Sequence, residues 1–137
     1  MELTYIRDDL IDNLKTSKEK KEDLYQIIDR YLNYDFKGAI SDISIFGEYI
    51  AKEIAKKTNN KIKDFRNALN ILVSFNMSKH TKINYNYIGF LLWPLYYVRN
   101  QKLHPYHEID FNGNTADICF TNLSEIIRYL SENGIRF

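Results

Sequence analysis

Chemistry concentrates in one stretch of this chain, Val98-Arg99-Asn100-Gln101-Lys102-Leu103-His104-Pro105-Tyr106. Asn100 and His104 stand in i, i+4 register, so on a helix they share a face and the Asn amide can hydrogen-bond the imidazole. Arg99 and His104 stand in i, i+5 register, about 140° around an ideal helix axis, which would turn them away from each other. Pro105 changes that geometry. A residue before proline is pushed out of the helical region, so the sequence places His104 at or just past a helix end, with its ring free to swing toward the guanidinium.

A guanidinium and an imidazole so placed suit a phosphodiester. The guanidinium offers planar, bidentate donors to phosphate oxygens and keeps its charge at any relevant pH. The imidazole takes or gives a proton close to neutrality. RNA carries its own nucleophile, the 2′-hydroxyl, so its cleavage needs a base, an acid and a cation on the phosphorane, and no metal-bound water. One His104 per chain is one proton-transfer group. A two-fold dimer pairing these helix ends would supply two, so a homodimer belongs to the expectation. Arg66-Asn67 repeats the Arg-Asn dipeptide on another helical stretch but has no His five residues after the Arg.

The elements that must position this segment read as helices. Apolar residues recur at helical spacing at Leu3, Ile6, Leu10 and Leu14, and again at Leu24, Ile27, Ile28, Tyr31 and Leu32. Lys15 to Lys21 between them is either a break or a solvated part of one long helix, with Thr16 and Glu19 in capping-box register. Asn33 to Gly38 reads as a turn with Asp35 as N-cap. The next helix buries Ile43, Phe46, Ile50 and Ile54 and stops at Thr58-Asn59-Asn60. A further one carries Ile62, Phe65, Leu69, Leu72 and Val73 and closes by Ser78 to Thr81. Leu91, Leu95 and Val98 mark another face. Pro94 removes a backbone donor there, and the reading preferred is a fresh helix starting with Pro94 at its first position, ending near His104. Ile109, Phe111, Ile118 and Phe120 flank Asn112-Gly113, a hairpin signal. A last helix is expected from about Thr121 to Asn133, with Ile126, Ile127 and Leu130 inward and Gly134 as its stop. The sum is an all-α antiparallel helical bundle with a small β-hairpin before the last helix, in a single domain over residues 1–137.

The motif Arg-x4-His resembles that of the HEPN superfamily, and with Tyr106 the Arg-x4-His-x-Tyr form is similar to the HEPN toxins paired with minimal nucleotidyltransferase antitoxins. Ile45-Phe46-Gly47-Glu48 looks like the Gly-Glu of those toxins' second helix. The resemblance implies an HEPN-like bundle, a homodimer, and a cleft shared by two protomers that cuts RNA without a metal or cofactor. It implies Arg99 and His104 as catalytic residues and Asn100 as their support. Tyr106 becomes a candidate for modification by a nucleotidyltransferase-type antitoxin. Glu48 reads as a buried or half-buried hydrogen-bond partner. Glu48 and Arg99 lie 51 positions apart (99 − 48), longer than the compact toxins use, which leaves room for an additional helix.

Composition narrows the remaining classes. The chain has 137 residues, 45% of them hydrophobic and 15% aromatic, enough to bury a core, and its 5 Gly and 2 Pro favour long regular elements. A net charge of +1 means that any RNA must be drawn by a local cluster of cations. Cys119 stands alone and no signal-peptide pattern opens at Met1, which points to a cytoplasmic protein, and the apolar run from Ile88 to Val98 is too short for a membrane span. His104-x-x-His107, with only His80 to add, is a poor metal site. Trp93, Tyr85, Tyr87, Tyr96 and Tyr97 read as core or dimer interface ahead of a base-stacking platform. The alternative to an endoribonuclease of a toxin–antitoxin or antiviral defence system is a catalytically silent HEPN module that binds a partner protein or RNA. For Arg99 and His104 the plain structural reading is basic groups satisfying a helix C-terminus.

Overall fold

The computed structural model describes residues 8–103 and 112–137, with side chains described up to residue 100 and again from residue 112. Among them the chain forms six helices: α1 (Asp8–Asp12), α2 (Lys18–Leu32), α3 (Phe36–Lys56), α4 (Phe65–Val73), α5 (Tyr85–Leu103) and α6 (Gly113–Glu132). Leu3, Ile6, Ile109 and Phe111 lie outside the described residues.

The lysine-rich stretch near the N-terminus is a break. Ser17, one residue after the Thr16 of the capping-box register, caps α2 by accepting from the Lys20 amide at 3.2 Å. The chain between α1 and α2 runs beside the C-terminal tail, where Phe137 N donates to Lys15 O at 3.1 Å. Asp35 caps α3 as its sequence position suggests, accepting from Gly38 N. Tyr34, the residue between α2 and that cap, sits at φ +62°, in the left-handed region. Asp35 N returns to Arg30 O and Tyr34 N to Tyr31 O, so Tyr34 fills the position that glycine usually takes at a helix end. At the other end of α3, Thr58 Oγ1 donates to Ala55 O and Asn59 turns left-handed, which stops the helix where the sequence indicates.

α3 is the central element and packs against α2, α4, α5 and α6. Its inward residues combine Ile40, Ile43, Phe46, Ile50 and Ile54 with the small Ala39, Gly47, Ala51 and Ala55, which let neighbours approach closely. Gly47 marks the tightest point. A Cβ there would stand 2.9 Å from Leu95 Cδ1 and 3.2 Å from Leu95 Cβ of α5. A second close approach joins α5 to α4, where a Cβ on Gly89 would meet Leu72 Cβ at 2.9 Å and the Val73 amide nitrogen at 3.2 Å. Asn86 ties the same two helices by donating to the carbonyls of Leu72, Val73 and Phe75 at and just past the end of α4.

Two sequence expectations are corrected. No fresh helix starts at Pro94: α5 is one helix with Pro94 inside it. The missing amide orphans only the Phe90 carbonyl, on a residue 66% exposed, and Asn122 of α6 donates to the neighbouring Leu91 carbonyl at 3.0 Å, bracing the turn that proline loosens. The hairpin at Asn112-Gly113 is not formed either. Asn112 is the N-cap of α6, accepting from Thr115 N at 3.1 Å, so α6 starts at Gly113 and not near Thr121. Asn is as good a helix cap as it is a turn residue, and Ala116, Cys119, Phe120 and Leu123 then fall at helical spacing on the buried face. Gly134, at φ +60°, ends α6 as expected, and Ile135 and Phe137 return to the core.

Candidate functional site

Arg99 sits near the C-terminal end of α5, four residues beyond Leu95 and on the side that faces α3. The close packing at Gly47 sets the separation of the two helices, and the next residue of α3, Glu48, meets it there. Glu48 Oε2 lies 3.6 Å from Arg99 Nε, and Lys52, one turn further along α3, lies 3.4 Å from Glu48 Oε1. A carboxylate is thus held between two cations, all three half-buried. The Arg99–Glu48 distance is that of an ion pair and exceeds a hydrogen bond, so the buried Arg99 Nε has no hydrogen-bond acceptor among the described residues. A buried donor left open costs about 1–3 kcal/mol, and it favours an added acceptor such as a phosphate or water oxygen.

Asn100, the next residue, is turned about 100° from Arg99 and so away from Glu48. It continues the line of Phe90, Trp93 and Tyr97, which are 66%, 41% and 55% exposed. Ile118 of α6 is also exposed and lines, with Trp93, Pro94 and Tyr97, a shallow apolar depression. Tyr85, Tyr87 and Tyr96 are instead engaged inside the fold, with ring contacts to Phe75, Tyr129 and Phe65 respectively. The aromatic set therefore divides into packed residues and an outward ridge on α5.

Of the residues singled out in the sequence, the structure brings Arg99 and Glu48 together and leaves Asn100 on a different side of α5. His104, Tyr106 and His107 lie outside the described residues, and so does any contact between Asn100 and His104. Lys52 was not singled out. Its signal was the Glu48-x-x-x-Lys52 spacing, a pairing register so common on helices that it carried no weight alone. Cys119 is buried, and burial pushes its thiol up to about 11, which removes it as a nucleophile near neutral pH. No cluster of three or more His, Cys, Asp or Glu side chains suited to a metal occurs among the described residues, and no helix among them is long and apolar enough to cross a membrane.

Neither a family model, nor a curated protein, nor a solved structure matches this chain.

Proposed function

We propose that the protein is a metal-independent endoribonuclease of the HEPN type, working as a homodimer in a toxin–antitoxin or antiviral defence system. The observation that carries the reading is the ion pair of Glu48 with Arg99, which joins the two sequence features of the HEPN resemblance across 51 positions of chain (99 − 48). The glycine beside Glu48 supports it, because Gly47 lets α3 and α5 approach closely at that level.

In this mechanism the 2′-hydroxyl attacks the adjacent phosphorus and the 5′-oxygen leaves, giving a 2′,3′-cyclic phosphate. His104 of one protomer takes the hydroxyl proton, and His104 of the other protonates the leaving oxygen. Arg99 stabilises the charge that gathers on the phosphorane oxygens. Glu48 holds the guanidinium in place through Nε. Asn100 orients His104 by accepting or donating at the ring nitrogen that does not face substrate. The exposed ridge of Phe90, Trp93 and Tyr97, which Asn100 continues, provides apolar surface for the second protomer. Tyr106 would be the position modified by an antitoxin of the nucleotidyltransferase type.

The test is expression with growth as the readout. Arrest by the wild type, relieved by Arg99→Ala and by Glu48→Ala while the dimer stays folded, is the expected result. Arrest unchanged by Arg99→Ala would overturn the mechanism. The second reading, a silent HEPN module, is favoured by the same exposed ridge, which suits any protein partner. It requires growth without arrest and intact cellular RNA.

A further inference from the structure

The chain's net charge of +1 gives no general attraction for nucleic acid, so an RNA partner requires a local concentration of cations. One exists, away from Arg99, at the end of the molecule where the C-terminal half of α3 meets the C-terminal tail. Tyr49, Glu53, Lys56, Lys57, Arg136 and Phe137 line an open cleft of about 350 Å³ there. Lys20 of α2 lies over the Tyr49 ring at 4.1 Å, and Lys15 runs alongside Arg136. Lys56 pairs with Glu53 at 2.8 Å and Lys20 with Asp23 at 3.5 Å. Three cations, Lys56, Lys57 and Arg136, therefore face one carboxylate, Glu53, in the cleft itself, and Lys20 borders it over the Tyr49 ring. Its floor is aromatic, with the Tyr49 and Phe137 rings 6.4 Å apart.

The cleft and the candidate active site share helix α3. Glu48, Lys52 and Lys56 follow one another at four-residue intervals on α3, so each step advances about 6 Å along the same side of the helix. Lys52 is the link, because it already contacts the carboxylate that holds Arg99. Lys52 and Lys56 thus follow one and two steps along from Glu48, which holds Arg99, over about 12 Å, and they are paired with Glu48 and Glu53 respectively. A polyanion with regularly spaced charges and flat groups between them matches both the cations and the aromatic floor. An acidic peptide matches only the cations.

We infer that the Lys56, Lys57 and Arg136 cleft is a docking track for the sugar–phosphate backbone of single-stranded RNA, leading along α3 to Arg99. The inference rests on the ribonuclease reading for the direction of the track, and binding can be measured separately from cutting. Phosphates flanking the scissile one lie over Lys52 and Lys56, and the strand leaves past Lys57 and Arg136 across the Tyr49 ring.

The test uses full-length His104→Ala protein, so that substrate survives, and a fluorescently labelled single-stranded RNA titrated at several salt concentrations. It compares that protein with one also carrying Lys56→Gln, Lys57→Gln and Arg136→Gln, its fold checked by circular dichroism. Three lost phosphate contacts should lower the slope of log K against log salt by about 2 and weaken binding about a hundredfold at 0.1 M salt. Cutting by the wild type is measured in parallel. An unchanged slope would overturn the track, and wild-type cutting would show whether the ribonuclease reading survives it. A lowered slope without wild-type cutting would keep the track and remove the ribonuclease reading. Displacement of the RNA by polyglutamate at equal charge would overturn the track in favour of an acidic-peptide surface.

Discussion

Substituting Gly47 by alanine tests the joint that holds the candidate site together. The added Cβ would lie 2.9 Å from Leu95 Cδ1 and 3.2 Å from Leu95 Cβ. The methyl of Leu95 can rotate aside, but its Cβ is fixed to the α5 backbone, so the two helices must separate by a few tenths of an ångström. Overpacking of this kind costs about 1–3 kcal/mol. Against it, alanine is better than glycine inside a helix by about 1 kcal/mol. The two leave a net destabilisation of about 1 kcal/mol, which for a chain of 137 residues lowers the melting temperature by about 3–4 °C. The assay is thermal and urea unfolding of wild type, Gly47→Ala, Leu95→Ala and the double variant. Leu95→Ala removes Cδ1, the nearer of the two atoms, and keeps Cβ, so the cost of Gly47→Ala should shrink in that background. A Gly47→Ala protein at least as stable as wild type would refute the claim that α3 and α5 touch at Gly47. So would equal effects of Gly47→Ala in the two backgrounds.

Other consequences of the fold can be checked in the same way. Asn86→Ala removes the donor shared by the Leu72, Val73 and Phe75 carbonyls and should cost about 1–2 kcal/mol in urea unfolding. Tyr34→Gly should raise stability by about 1 kcal/mol, because a non-glycine residue at φ +62° carries strain and the 80% exposed ring gives little packing in return; an unchanged or lower melting temperature would contradict this. Tyr31 is buried and donates to Asp117, and burial, then that hydrogen bond and charge, pushes its phenol up to about 12. The folded state therefore favours the neutral phenol, a contribution fully present below about pH 10 and lost as pH rises through about 12. The stability gap between wild type and Tyr31→Phe should narrow above pH 10, and a gap constant from pH 8 to 11 would contradict it.

Much of the bundle was legible because single faces carried it. Ile43, Phe46, Ile50 and Ile54 define the buried side of α3 by spacing alone, Asp35 opens that helix as its N-cap, and Gly134 ends α6 at a positive φ that glycine adopts freely. Asn112-Gly113 misled because an Asn that opens a turn is equally able to cap a helix, and the choice depends on the residues that follow. Pro94 misled because its cost is local: Asn122, distant in sequence, braces the turn it loosens. At the site, the Arg99 to His104 spacing was visible, whereas the Glu48–Arg99–Lys52 arrangement joins residues on two helices whose separation only packing determines. The basic cleft was hidden for the same reason. Lys20, Lys57 and Arg136 belong to separate parts of the chain, and their charges disappear in a net total of +1.

The most direct test of the central claim is cleavage of a structured RNA by purified wild type and His104→Ala, each in excess EDTA, with analysis of the product ends. Cutting by wild type alone, resistant to EDTA and leaving 2′,3′-cyclic phosphates, is the predicted result. Cutting that EDTA abolishes, or that His104→Ala retains, would contradict the account.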